Sequence, residues 1–445
     1  MAEEPQNRIF QSGAGALLQA MRAGAIGAMA VTQHYLQRIA RLDGRLNAYN
    51  QLATEQALQA AAQSAERYRT DTARPLEGLP LAIKANIACA GLPAHAGIAA
   101  LDEAPAGADA EVVRRLRAAG AVVLGITNMH EGAFGATTDN PHFGRSHNPW
   151  RHGFTPGGSS GGSGVAVAAS LCAAALGTDT YGSVRIPASW CGITALKPTH
   201  GLVSNDGVVP LVERFDCVGP MTATVADCGL LLQVMADPPP SRQLRRIAVP
   251  ELRHGPDLHP AVAAAWRLAQ SILKGLGAEI RTPMLEIDYA GLRRADFLIG
   301  AQSARRIHAA MLGRNPQGFS ADFHARLGYG KDADAVFRDA CTQRIADSAA
   351  ELHAMLQVVD AILLPTTPQP AFDFAAEIPQ SLADFTALAS IAGLPALSLP
   401  AGWTSDGLPV AVQLIGRPHE DMALVTLAGE LEQALNARRW PADAD

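Results

Sequence analysis

Ten consecutive residues, Thr155-Pro156-Gly157-Gly158-Ser159-Ser160-Gly161-Gly162-Ser163-Gly164, restrict the fold of this 445-residue chain more than any other stretch. Glycine reaches backbone angles closed to other residues and lets main chain approach main chain closely. Two adjacent serines inside such a run therefore sit either on a turn whose N–H groups point at an anion or on a flexible loop. The apolar run that follows, Val165 to Leu176, reads as a helix of small residues packed on all sides. At twelve residues, interrupted by Ser170, it is too short to span a bilayer.

Strands and helices alternate around this segment. Val31, Tyr35, Leu36 and Ile39 fall at helical spacing, and a second helix is expected over Glu55 to Tyr68. Asp109 is placed to cap a helix whose Val112, Val113, Leu116 and Ala119 form one stripe and which Gly120 ends. Ala121 to Ile126 then reads as a buried strand. Further strands are expected over Val358 to Leu364 and Pro409 to Gly416, further helices over Pro260 to Leu276 and through Leu424, Leu427, Leu431 and Leu435, and region 286–355 is helix-rich. This alternation predicts an α/β sandwich around a mixed or parallel sheet. Pro238-Pro239-Pro240 cannot continue a helix or a central strand and reads as a surface link between halves. The expected organisation is an N-terminal helical segment (1–70), a core carrying the serines (71–236), and a C-terminal half (237–445) completing the same α/β domain.

The net charge of −6 argues against a nucleic-acid ligand, which needs a basic face. The acidic, polar Met1 to Gln6 has neither the basic nor the apolar region of a signal peptide. The six cysteines show no CxxC spacing and read as reduced thiols. Together these features predict a cytoplasmic protein with no membrane partner. The thirteen histidines are scattered, and His142, His147 and His152 read as surface residues rather than metal ligands. No metal and no cofactor are expected.

Twenty-four residues after Ser159 a third serine, Ser183, stands in Thr178-Asp179-Thr180-Tyr181-Gly182-Ser183-Val184-Arg185-Ile186-Pro187, and upstream the apolar run Leu81-Ala82-Ile83 ends in Lys84. A serine hydroxyl attacks only when a base takes its proton, and a lysine serves as that base only as the neutral amine. Its solution pKa of about 10.4 must then fall by several units, which burial achieves. No carboxylate lies within ten residues after Lys84 and none before it closer than Glu77, so the local sequence suits desolvation. A lysine snorkelling from a strand end fits the same residues. The glycines do not form a P-loop, because no Gly-Lys-Ser/Thr follows, nor a dinucleotide fingerprint. Gly157 to Gly161 does match Gly-x-Ser-x-Gly, the nucleophile elbow of α/β-hydrolases, with Asp360 or Asp406 and His419 as late partners. Against that reading, Arg151 to Pro156 is not the apolar strand an elbow requires.

Several motifs together resemble the amidase signature family. They are Gly78 to Ile87, Gly125 to Glu131, Asn148-Pro149-Trp150, Pro156 to Gly164, Gly177 to Pro187, Cys191-Gly192-Ile193 and Leu196 to Gly201; later come Leu364 to Pro368, Ala392 to Ala396 and Gly407 to Gly416. The resemblance spans nearly the whole chain. It implies a single large α/β/α sandwich around a mixed twisted sheet, and an amidohydrolase acting on amides, carbamates or esters. By position it implies Ser183 as nucleophile, Ser159 as bridging serine on a cis peptide after Gly158, and Lys84 as base. The N–H groups of Thr180, Tyr181, Gly182 and Ser183 would form the oxyanion hole, and Ser160 and Ser163 would be structural. Asp179 and Arg185 are expected to brace the nucleophile loop as an ion pair.

Tyr181 stands where family members commonly have glycine, and Ala85 where they commonly have aspartate. The Tyr181 ring is expected to narrow the acyl side of the pocket; Ala85 is expected to alter only packing behind Lys84. Met129, Phe134, Tyr181 and Phe215 are the expected substrate contacts, giving a largely apolar site. The expected partner is a small amide or carbamate, with a homodimer left open. The glutamine-amidotransferase subunit of the same family is the runner-up. It would need charged groups to hold an amino acid, and Ala383 to Ser390 offers only the carboxylate of Asp384.

Overall fold

The computed structural model describes residues 9–101 and 104–442. The stretch Met1 to Gln6, weighed above as a leader, lies outside the described residues. Both halves of the chain build one eleven-stranded sheet. Across it the strands run Tyr49–Leu52, Val122–Thr127, Pro80–Lys84, Ala174–Asp179, Cys217–Thr222, Thr194–Lys197, Ala396–Trp403, Pro409–Gly416, Ala361–Pro365, Arg246–Ala248 and Glu279–Arg281. The sheet is mixed. Pro80–Lys84 pairs in parallel with both neighbours, whereas the strands from Cys217–Thr222 to Ala361–Pro365 pair antiparallel. The central strands are buried on both faces, so helices must cover both. Val225–Met235, Pro260–Gly275 and Asp421–Leu435 pack together as one group, and Gly161–Ala168 with Arg185–Cys191 as another.

Most sequence expectations match the elements in kind. Helices cover Ala28–Leu46, Thr54–Arg69, Glu111–Ala118 and Asp421–Leu435, and region 286–355 holds three more. The triple proline lies in a coil between the Val225–Met235 helix and the Arg246–Ala248 strand.

Three local readings differ. The Val165 to Leu176 helix is two elements: a helix over Gly161–Ala168, then the strand Ala174–Asp179. Ser170, with a positive φ of 53°, makes the break, and small apolar residues suit both a buried helix and a buried strand. Asp109 does not cap the Glu111–Ala118 helix; its carboxylate instead accepts from the Ala90 amide and pairs with Arg117. Val358 belongs to the end of a helix, and its strand begins at Ala361.

The parallel pairing decides where chemistry collects. Ile83 lies opposite Leu176, so Lys84 and Asp179 close their strands at the same carboxyl-end rim. Side chains and loops at such a rim face the same crevice.

Candidate active site

The serine–glycine loop crosses that rim. Gly157 has φ +89°, and a Cβ there would stand 2.9 Å from the main chain of Pro187. At Gly162 a Cβ would run into the carbonyl oxygens of Asn128 and Ala48. These two glycines bring the loop against the helix that follows Ser183 and against the strand ends beside Lys84. The Gly158–Ser159 peptide is cis. Ser160 and Ser163 serve the loop: the Ser160 hydroxyl donates to the Thr178 carbonyl at 3.2 Å, and that of Ser163 to the Leu176 carbonyl at 2.9 Å.

Lys84 is fully buried. Its Nζ lies 2.7 Å from Ser159 Oγ, 2.7 Å from Thr178 Oγ1 and 3.4 Å from the Thr178 carbonyl oxygen. No carboxylate among the described residues touches it. Burial pushes its pKa down to about 7, with Asp179 and Asp216 pulling weakly the other way. The snorkelling alternative is thereby excluded. Thr178, which also accepts from Asn86 at 3.2 Å, is a lysine partner that sequence reasoning missed, since nothing in its spacing marks it.

Ser183 lines a cavity of about 690 Å³. Its hydroxyl makes no hydrogen bond among the described residues, so the contact from Lys84 to Ser159 is closed and that from Ser159 to Ser183 is not. Asp179 holds the Ser183 loop from beneath. Its Oδ1 accepts from the Gly182 amide at 2.7 Å and its Oδ2 from the Val184 amide at 3.3 Å. Arg185 grips both oxygens at 3.0 Å and also donates to Gln413 and Ser390. The expected ion pair is present and wholly buried. Burial opposes the Asp179 charge, but Arg185 outweighs it and holds this carboxyl below the usual range. Of the four amides expected in an oxyanion hole, that of Gly182 is already given to Asp179. Those of Thr180, Tyr181 and Ser183 have no acceptor among the described residues.

The four expected substrate contacts divide. Phe134 and Tyr181 line the cavity. The Tyr181 hydroxyl donates to the Asp296 carbonyl oxygen at 3.1 Å, which fixes the ring across one wall. Phe215 stands behind that ring, at a centroid distance of 5.7 Å, and Met129 is wholly buried; neither lines the cavity. Both are apolar side chains that the core beside the loops takes up. Ala85 is buried next to Lys84.

The cavity is largely apolar, but charged groups stand on one wall of it. Arg293, Asp296 and Asp384 line it, two of them on the Tyr289–Arg314 helix far from any motif. Arg293 reaches one Asp384 oxygen at 3.2 Å, while burial raises the Asp384 pKa to about 7. Asp296 is pushed well above the carboxylate range, by burial first and by Asp384 second.

The elbow alternative finds no support in this geometry. Ser159 meets a lysine rather than a histidine, and Asp360 and Asp406 are held by arginines. His419 meets Thr199 through its main chain. Among the described residues no group of three or more His, Cys, Asp or Glu gathers as a metal site, and no helix is long and apolar enough to cross a membrane.

Known proteins repeat this architecture. The Amidase family profile matches residues 30–425. One subunit of the glutamyl-tRNA(Gln) amidotransferase of Prochlorococcus marinus (strain MIT 9313) is 36% identical, over 94% of this chain and 96% of its own. The native peptide amidase of Stenotrophomonas maltophilia superposes with a TM-score of 0.83 at 30% identity, over 97% of this chain and 99% of its own. A chain from a vestigial protein complex bearing on the origins of an s-triazine catabolic enzyme reaches 0.88 at 32% identity, covering 96% and 99%. A match across nearly the full length, joined to the same α/β architecture, makes this chain an amidase signature enzyme, a hydrolase of amides.

Proposed function

We propose that Ser183 attacks the carbonyl carbon of a small carboxamide, with Ser159 relaying its proton to Lys84. The observation that carries this reading is the 2.7 Å contact between a fully buried amine and the Ser159 hydroxyl, beside a cavity lined by Ser183. A neutral amine has two N–H donors and one lone pair. Thr178 supplies two acceptors, its hydroxyl and carbonyl oxygens, which leaves the lone pair for the Ser159 proton.

As the Ser183 hydroxyl turns onto Ser159, its proton passes to Ser159 Oγ while the Ser159 proton passes to Lys84 Nζ. The Ser183 oxygen bonds to the carbonyl carbon, and the oxyanion takes hydrogen bonds from the free amides of Thr180, Tyr181 and Ser183. Each such donor contributes typically about 3 kcal/mol to the transition state. Lys84 then returns a proton through Ser159 to the leaving nitrogen and the C–N bond breaks. Water, deprotonated by the same relay, cleaves the acyl-enzyme. Carbamates and esters present the same carbonyl to the same groups. Six free, buried cysteines suit a reducing compartment and support a cytoplasmic enzyme.

Hydrolysis of a panel of anilides, carbamates and primary amides tests this reading. Activity should vanish in Ser183→Ala and Lys84→Ala and survive in His419→Ala, and a fluorophosphonate probe should label Ser183. Labelling elsewhere, or an active Lys84→Ala, would overturn it. A second reading, a glutamine-hydrolysing subunit, is favoured by the similarity to the amidotransferase and by the charged groups at Arg293 and Asp384. Release of ammonia from free glutamine, stimulated by a partner protein, would support it.

A further inference from the structure

One wall of the cavity carries buried polar atoms that the protein leaves without partners. Asp296 Oδ1, Asp384 Oδ1 and the Tyr289 hydroxyl make no hydrogen bond among the described residues, and all three side chains line the space that Ser183 lines. Tyr289 and Asp296 lie two turns apart on one helix, hence on one face of it, and Asp384 opens the short helix packed near them. Asp384 is the electrostatic neighbour of both. An unpaired polar group buried in a folded protein is destabilising, so three together on a cavity wall call for a partner from the ligand. Asp296 is the least compensated. It is 8% exposed, and no arginine, lysine or hydroxyl among the described residues meets its carboxyl, whereas Arg293 already takes one oxygen of Asp384. Its main chain is pinned by the Tyr181 hydroxyl, so the side chain is held at a set position beside the nucleophile loop.

We infer that Asp296 is a specificity-determining residue that binds a protonated primary amine on the substrate, with Asp384 and Tyr289 as its neighbours in the same subsite. A primary ammonium has three N–H donors and no acceptor; brought against Asp296, which burial holds neutral in the free protein, its charge favours the carboxylate form, and it then complements two carboxyl oxygens and a phenol oxygen lacking partners. This subsite rests on the amidase reading above and narrows its substrate class to amino-substituted amides.

The test uses ω-aminoacyl anilides with the amine two to six carbons from the carbonyl. Each is paired with the isostere carrying methyl for ammonium, and one ω-carboxyacyl anilide is included. The kcat/KM ratio of amino to methyl substrate should exceed ten at the best chain length. In Asp296→Asn, nearly the same in shape, it should fall at least tenfold, with an unchanged thermal midpoint as the folding control. An unchanged ratio in Asp296→Asn, or preference for the carboxyacyl anilide, would overturn the inference. Titration calorimetry in the Ser183→Ala background gives a readout independent of turnover. There Asp296→Asn should weaken the amino ligand at least tenfold relative to its methyl partner, and an equal effect on both would refute the subsite. A Ser183→Ala protein that still hydrolyses amides would sink the nucleophile assignment while leaving this binding measurement to decide the subsite.

Discussion

Replacing Lys84 with methionine should change stability in a pH-dependent way whose size follows from the burial of the amine. In the unfolded chain the lysine titrates near 10.4; in the fold, burial brings it to about 7. Between those values the unfolded state holds the extra proton, so stability rises with pH across this window. The deficit is largest at and below pH 7 and nearly gone above pH 10.5. At about 1.4 kcal/mol per unit, the lysine makes the native state about 3 kcal/mol less stable at pH 7 than at pH 10. Methionine fills a similar volume and does not titrate. Its loss of the contacts to Ser159 and Thr178 is common to both pH values and cancels in the comparison. For a chain of 445 residues, 1 kcal/mol corresponds to about 1 °C of thermal midpoint. Midpoints by scanning fluorimetry at pH 7 and 10 should thus show the Lys84→Met advantage over wild type shrinking by about 3 °C. A difference that stays constant, or grows with pH, would mean that the buried amine keeps its proton, and the base assignment would fall with it.

The rate should follow the same group: kcat/KM for an anilide should rise through an inflection near pH 7 and then level. Thr178→Val removes an acceptor that favours the charged amine, so the inflection should move to lower pH while the plateau drops about tenfold. Arg185→Met leaves Asp179 buried without its counter-ion, and urea unfolding should show a loss of about 3–5 kcal/mol together with near-complete loss of activity. Tyr181→Phe breaks only the bond to the Asp296 carbonyl oxygen; KM should rise a few-fold with kcat nearly unchanged, read from initial rates over a substrate series.

The serines and the lysine were legible because each sits in a short motif whose local chemistry is unusual, an apolar strand ending in lysine and serines on glycine turns, whereas the Asp179–Arg185 pair was expected only alongside the family resemblance. The division of Val165 to Leu176 was not legible, since a run of alanines and valines has the same pattern whether it ends in a helix or a strand. The loss of the Gly182 amide to Asp179 is decided by the shape of the turn, which puts the carboxylate of a residue three positions earlier beneath the loop. Met129 and Phe215 went astray because neighbourhood in sequence says nothing about which side of a loop faces a cavity. Asp296 and Arg293 come from a long helix with no motif, and only the fold carries them to Ser183.

The arrangement of charge explains why a buried lysine at this rim can lose its proton at all. Two carboxyls, Asp179 and Asp216, stand near enough to favour the ammonium form. A carboxylate left free at either place would pull the amine back toward its charged form. The fold binds each elsewhere. Arg185 takes both oxygens of Asp179, and Asp216 accepts from the Thr180 hydroxyl at 2.5 Å and from the Leu211 and Val212 amides at 2.8 and 3.0 Å. Both carboxyls are also anchors of the Thr180 to Ser183 turn, one through Gly182 and Val184, the other through Thr180. The groups that shape the turn are therefore the ones whose charge must be kept from Lys84, and Arg185 does both tasks through one pair of contacts. Asp179 cannot be exchanged for a neutral residue without loosening the turn, nor Arg185 without returning a free carboxylate to the vicinity of the amine. That coupling ties the nucleophile's position to the state of its base.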